Sequence, residues 1–400
     1  MNRPISSGRW SEVTVGDVVT LQRGFDITKA EQSQGPYPII SSSGPRSSHS
    51  AFKVEPPGVV IGRKGSLGGV YFSETRFWPH DTTLWVKDFH GNDPKFVYYW
   101  LQTLGLEHYD VGAANPTLNR NHIHLLAATI PDIQAQRKIG AILSAYDDLI
   151  ENNHRRITIL EEMAQRIYRE WFVDYRYPGH EDVPLADSKL GRTPNSWHVV
   201  SLSEVTRTQY GHTESATDRP VGPRFLRGMD INKASYVDWT TVPYCPIDAN
   251  EHAKYRLARG DVVIIRMADP GKVGIIEADV DAVFASYLIR IKPQEGVISP
   301  YFLFYFLGSD RYQAFVLGAS TGTTRKSLSA PLITSAELAL PPPATQAAFV
   351  AVVTPLREQL NTLVGANATL RTMRDLLLPR LTSGEIDVAD LDITPPDLAA

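Results

Sequence analysis

The sequence predicts a mixed α/β protein built twice over: two globular domains, each a sheet with short helices, joined by two long antiparallel helices with pseudo-twofold symmetry. Three observations carry this. A block of sequence recurs at a fixed offset of 210 residues. Within the recurring block, apolar residues step by three and four. The remainder of each half is made of short β-branched runs broken by Gly and Pro.

The repeat is the element to justify first, since a missed repeat misassigns the whole fold. PDIQAQRKIGAIL from Pro131 aligns without a gap on PPPATQAAFVAVV from Pro341, setting Gln136 on Gln346 and Ile139 on Phe349. Further along, Ile142, Tyr146, Leu160, Met163 and Ile167 fall on Val352, Leu356, Leu370, Met373 and Leu377. That is the spacing of a helix packed along a seam, with Asn153 and Arg156 as polar interruptions. The residues expected to hold the seam or to dock a partner are Ile139, Tyr146, Leu160, Trp171, Phe172, Phe349, Leu356 and Leu370. Each helix is expected to run about 35 residues and roughly 50 Å. Pro379 is expected to end the second, leaving the two helix ends inequivalent.

Other blocks repeat at shifted offsets, as loop insertions would produce. Trp10 with VTVGDVVTLQRG matches Trp197 with VVSLSEVTRTQYG, and PPGVVIGRKGSLGGVYF matches ARGDVVIIRMADPGKVGII. FVYYWLQT matches YFLFYFLGS. Runs such as Gly58 to Ile61 and Asp261 to Ile265 read as strands. The expected order is a first domain over 1–130, a long helical region over 131–178 and a connector over 179–196. A second domain over 197–340, a second helical region over 341–380 and an acidic tail over 381–400 follow.

Composition bounds the function. The hydrophobic fraction of 42% and charged fraction of 21% are those of a folded protein. A lone Cys245 excludes an internal disulfide and a four-sulfur zinc site, and reads as cytoplasmic. No apolar run approaches a membrane span. The net charge of −4 gives no support to nucleic-acid binding, but much of it comes from Glu385, Asp387, Asp390, Asp392 and Asp397.

Enzyme motifs fail on inspection. Asn115-Pro116-Thr117-Leu118 lacks the second proline and the aromatic of an adenine methylase motif. Gly271-Lys272 is followed by Val273 and has Arg266 where a phosphate loop needs Gly. Asp187-Ser188-Lys189 sits in the charged connector, and His122 and His124 have no ligand cluster nearby.

A duplicated chain with diverged halves suits DNA, which has its own twofold axes; two unlike readers on one chain take two unlike half-sites. A stiff pair of helices then fixes the gap between them. Against this stand two other readings, a DNA-binding protein acting alone and a self-contained methylase or nuclease.

Several blocks resemble one family. LEEMAQRIYREWFVDYRYPG (160–179), DSKLGRTPNSW (187–197), the closing RDLLLPRLTSGEIDV from Arg374 and VGDVVTLQRG near the start are similar to segments of type I restriction-modification specificity subunits. The resemblance spans the chain in order. It implies a monomeric, non-catalytic subunit with two target-recognition domains that bind double-stranded DNA at a bipartite, asymmetric site. It also implies two methyltransferase subunits docked on the helices and restriction or motor subunits added for cleavage. S-adenosylmethionine, ATP and Mg belong to those partners; the chain itself is expected to carry no cofactor and no metal.

Candidate DNA contacts lie in loops rich in Arg, Lys, Asn, Ser and Thr, the side chains that reach phosphates and base edges. In the first domain these are Arg46, Arg63, Lys64, Thr82, Thr83, Asn119 and Arg120. In the second they are Arg224, Arg227, Arg266, Lys272, Arg325 and Lys326. GRKGSLGG (62–69) is sufficient as a plain hairpin turn, but its counterpart RMADPGKVG carries bases at similar places, which points to a contact loop.

Overall fold

Local chemistry repeats before the architecture does. Asp93 and Ser299 each accept a hydrogen bond from the backbone N–H three residues on, capping helices Pro94–Gln102 and Pro300–Gly308 with proline at the first turn. Gln136 then accepts from the Asp93 N–H at 3.0 Å and donates to the Pro131 carbonyl at 2.9 Å. Gln346 does the same to Ser299 at 2.8 Å and Pro341 at 2.9 Å. Both glutamines are buried, so the aligned pair of the sequence is a single clamp made twice, tying a short helix to the start of a long one.

The computed structural model describes residues 10–112, 116–320 and 327–393. They fall into two compact units, one of the described residues up to 151 together with those from 369 on, the other of those between 152 and 368. The first holds a four-stranded antiparallel sheet in the order Thr20–Arg23, Thr83–Asp88, Gly58–Gly62, Val70–Ser73. The second holds Thr206–Tyr210, Leu288–Pro293, Val262–Ile265, Val273–Ile275 in the same order and sense. Each adds a short parallel pairing, Tyr37–Ser41 with Trp78–Pro79 and Arg224–Leu226 with Ala282–Phe284. Each globular domain is closed by an early strand pairing antiparallel with its last, Trp10–Thr14 with Ala127–Pro131 and His198–Ser201 with Glu337–Leu340. The mixed α/β, twice-built fold expected from the sequence is the fold found.

The long helices are Ile133–Phe172 and Pro343–Thr382, 40 residues each and about 60 Å at 1.5 Å per residue. Their ends are equivalent at the offset of 210, which corrects the expectation that Pro379 ends the second helix. Proline removes one N–H and crowds the preceding turn. Three residues from the C-terminus that cost is outweighed by burial of Leu381 in the core of the first unit. Pro355 is likewise carried inside the helix.

Within each unit the helices pack antiparallel. In the first, Asp147 pairs with Arg374, and Lys138 donates to the carbonyls of Ala389 at 2.8 Å and Leu391 at 2.7 Å. The acidic end of the chain is therefore no free tail as far as residue 393, and Val388 is buried in the same core. In the second, Ile157 and Leu160 meet Leu360, Leu363 and Val364, and Asn153 donates to Asn367 at 2.9 Å.

The expected seam register needs correcting. Met163, Val352 and Met373 are exposed, because the buried stripe lies one position away at Ala164, Val353 and the Arg374 pairing. Leu160 is in the interhelical cluster with Leu356 at its edge; Tyr146 and Leu370 are half-buried. Ile139 packs into the core of the first unit, and Trp171, Phe172 and Phe349 stack with Phe302, Tyr305 and Trp197 in the second. Those four bind a helix to its globular core, and Trp171 and Phe172 also meet Phe349 of the other long helix at ring-centroid distances of 6.0 and 4.9 Å, so these three join helix to helix as expected. The connector also holds a hairpin, Leu185–Ser188 with Gly191–Pro194.

Candidate nucleic-acid interface

Each unit gathers loops at one end of its four-stranded sheet, using one backbone scheme. Arg63 follows the central strand Gly58–Gly62, and its N–H donates to Thr82 O at 2.9 Å while its carbonyl accepts from Leu118 N at 2.9 Å. Arg266 follows Val262–Ile265, donating to Tyr287 O at 2.9 Å and accepting from Leu328 N at 2.8 Å. Even the side chains match: Arg63 Nη1 lies 3.4 Å from the Asp81 carbonyl and Arg266 Nη1 3.4 Å from the Ser286 carbonyl. Arg266 Nε also lies 3.4 Å from the Leu328 carbonyl; a guanidinium has five donors, so one or two long bonds leave most of them to spare. Burial, with the nearby charge of Arg23, holds the Arg63 guanidinium below its ordinary pKa.

Close backbone approach makes the corner. A Cβ on Gly24 would meet His80 O at 2.1 Å, and on Gly211 would meet Ala285 O at 2.2 Å. Only glycine lets the end of the first sheet strand reach the turns at 80–83 and 285–288.

What lines the two corners differs. In the first, Lys64 is exposed beside Thr117, Gly65 N donates to Pro116 O, and Ser42 N donates to Thr82 Oγ1 at 3.3 Å. Arg46 is exposed on the hairpin that carries Ser42. Arg23 pairs with Asp81 at 2.9 Å. In the second, the place of Lys64 belongs to Met267, that of Thr82 to Tyr287 and that of Arg23 to Tyr210, whose ring lies 5.0 Å from the Arg266 guanidinium. Lys272 is exposed where the first unit has Gly69. Of the bases in the two matched loops, Arg63 and Arg266 are therefore equivalent, whereas Lys64 and Lys272 are not.

Several candidates are spent on structure. Thr83 is fully buried, with its hydroxyl donating to His80 O at 2.7 Å, so it cannot reach DNA. Asn119 caps helix Arg120–His124 through Asn121 N; Arg120 is exposed. Arg227 forms a two-pronged pair with Asp230 at 2.9 and 3.1 Å. Arg224 bonds the Val242 carbonyl and lies over the Tyr244 ring. Arg325 and Lys326 lie outside the described residues. His124 Nε2 accepts from Leu21 N at 3.0 Å, a role that needs the neutral ring, and burial lowers its pKa accordingly.

Sequence reasoning missed Arg23 and Asp81. The signal was present in the Arg23-Gly24 pair, because a glycine needed for close approach marks the residue before it as lying at the corner. No cluster of potential metal ligands occurs among the described residues, and no helix among them is long and apolar enough to cross a membrane.

Comparison with known proteins places the repeat. The model of the type I restriction modification DNA specificity domain matches twice, over residues 8–162 and 195–369. The type I restriction enzyme MjaIX specificity subunit of Methanocaldococcus jannaschii is 24% identical over 314 residues, covering 74% of this chain and 70% of its own. The MjaVIII specificity subunit of the same organism is 22% identical over 354 residues, covering 83% and 82%. The crystal structure of a type I restriction-modification S subunit from M. genitalium shares the fold at a TM-score of 0.62 and 16% identity, over 95% of this chain and 98% of that one. With both halves matched, the chain belongs to the family of type I restriction modification DNA specificity domains.

Proposed function

We propose that this chain binds a bipartite, asymmetric site on double-stranded DNA, one half-site per unit, and holds methyltransferase and restriction subunits there. The observation that carries it is the pair of sheet-end corners, alike in backbone hydrogen bonds and unlike in exposed side chains. A shared scaffold with different lining is what two readers of two sequences require.

The chain works as a monomer in the cytoplasm, with no cofactor of its own; S-adenosylmethionine, ATP and Mg serve the partners. Each long helix contributes residues to both units, and helix length is proposed to set the number of unread base pairs.

The test is to map methylated adenines in DNA from cells carrying this chain with its methyltransferase subunit. A two-part motif with a fixed gap is expected; a continuous palindrome would defeat the proposal. Deleting seven residues from each helix should change the gap and leave both half-sites alone. The purified chain alone should neither methylate nor cut DNA.

A further inference from the structure

Resting on that DNA-reading function, we infer that Arg23, positioned by Asp81, reads a G·C base pair in the half-site of the first unit, and that the second unit lacks this contact. Arg23 ends the strand Thr20–Arg23 with its side chain 57% exposed, while Asp81 is 20% exposed. Arg23 Nη2 sits 2.9 Å from Asp81 Oδ2, and His80 Nδ1 sits 3.0 Å from the other carboxylate oxygen. The Asp81 carboxylate thus fixes the fork of the arginine, while His80 Nδ1, which accepts from the Thr82 N–H at 3.3 Å, packs beside it.

The fold does not need this pair. At the same places the second unit has Tyr210 and Ser286, yet it keeps the same backbone bonds, with Gly211 N on Leu288 O as Gly24 N is on Thr83 O. Exposed ion pairs of this kind add little to stability. What the pair does supply is a pre-ordered guanidinium, which loses less side-chain freedom on binding.

Its chemistry selects a base pair over a phosphate. A carboxylate beside the fork repels phosphate oxygens. A G·C pair, however, shows the major groove two acceptors, O6 and N7 of guanine, next to the N4 donor of cytosine. Arg23 donates to the first group and Asp81 accepts from the second.

The experiment is a selection from randomised duplexes by the full chain in complex with its methyltransferase subunits, wild type against Arg23→Tyr, which installs the residue the second unit carries there. Preference for G·C at one position of one half-site should fall roughly ten- to a hundredfold, the worth of one two-pronged contact. The other half-site and the gap should be unchanged, which also shows that the variant is folded. Asp81→Asn should weaken the same position less. Replacing that guanine by 7-deazaguanine, which lacks N7, should weaken wild-type binding but not binding by Arg23→Tyr.

Three results would overturn the inference. An unchanged preference in Arg23→Tyr defeats it alone. Weakening that is uniform over all sequences, with the salt slope reduced by about one, makes Arg23 a phosphate contact instead. A wild-type complex that selects no sequence at all defeats the DNA-reading function and this inference with it.

Discussion

The two units seat their globular domains on the long helices through one shared clamp and one that has diverged. The shared clamp is Gln136 or Gln346, with near-identical partners in both. The diverged one lies further along the helices. In the first unit Asp147 accepts from Arg374 and from Tyr99 Oη, and the pair is about one-third exposed. In the second, the residue aligned with Asp147 is Arg357, only 1% exposed, which grips Glu277 at 2.9 and 2.6 Å and Ser235 Oγ at 2.8 Å. Ser235 in turn donates to Glu161, and Tyr301 donates to Glu277 at 3.0 Å. The duplicated chain kept the contact that sets the entry angle of the helix and rewrote the contact that fastens it. A junction is constrained where it fixes backbone geometry and free where it only needs matched partners.

The largest expected effect breaks the symmetry of that second contact. Removing Arg357 strands a buried carboxylate, and loss of one partner of a buried pair costs about 3–5 kcal/mol. Arg357→Ala should therefore lower the denaturant midpoint sharply and speed hydrogen exchange in Pro300–Gly308. Arg374→Ala, at a partly exposed pair, should cost about 1 kcal/mol or less. Equal losses in the two variants would show that burial does not distinguish the junctions.

The shared clamp should behave alike in both halves. Gln136→Ala and Gln346→Ala each leave a buried N–H and carbonyl short of a partner, at about 1–3 kcal/mol apiece. Hydrogen exchange of Pro94–Gln102 should respond to the first variant and that of Pro300–Gly308 to the second. A loss confined to one variant would mean that the repeat is kept in form only.

Between these lies the polar pair in the seam. Asn153→Leu alone leaves Asn367 facing an apolar side chain and should cost about 1–3 kcal/mol, whereas Leu at both positions should be close to neutral. Such a pair fixes register more than it adds stability. Thermal unfolding of the single and double variants checks it.

How much of this was legible follows from what repeats. Gln136 and Gln346 were aligned by sequence because the clamp needs that residue type at that place. The strands around Gly58 and Asp261 were legible from their β-branched runs. The seam was read one position off, since Met163 and Met373 keep helical spacing while facing outward; periodicity reports that a face is apolar but not where its centre lies. Pro379 misled because a local rule was applied where tertiary burial of Leu381 decides. At the corners, loop composition offered Arg63 and Arg266, which keep donors to spare, and equally Thr83 and Arg227, whose polar groups are satisfied inside the fold. Composition cannot tell a spare donor from a spent one, and Arg23 was marked only by the glycine after it, since its partner Asp81 is 58 residues away.

The smallest effect is the sharpest test of the corners themselves. Arg63 and Arg266 occupy one position in two copies, the first with one long bond to a backbone carbonyl and the second with two. If both face phosphate, each alanine variant should reduce the slope of log affinity against log salt by about one, uniformly over sequences. The two corners differ in what surrounds that arginine. Arg63 has Arg23 close by, its effect offset in part by Asp81, so some of the Arg63 contribution is opposed by a like charge, while Arg266 lies against the Tyr210 ring. Arg266→Ala should then weaken binding somewhat more than Arg63→Ala at low salt, and the two should converge as salt rises and screening removes the repulsion. Parallel lines at all salt concentrations would show that Arg23 does not act on Arg63, and two unchanged slopes would take both arginines off the phosphate.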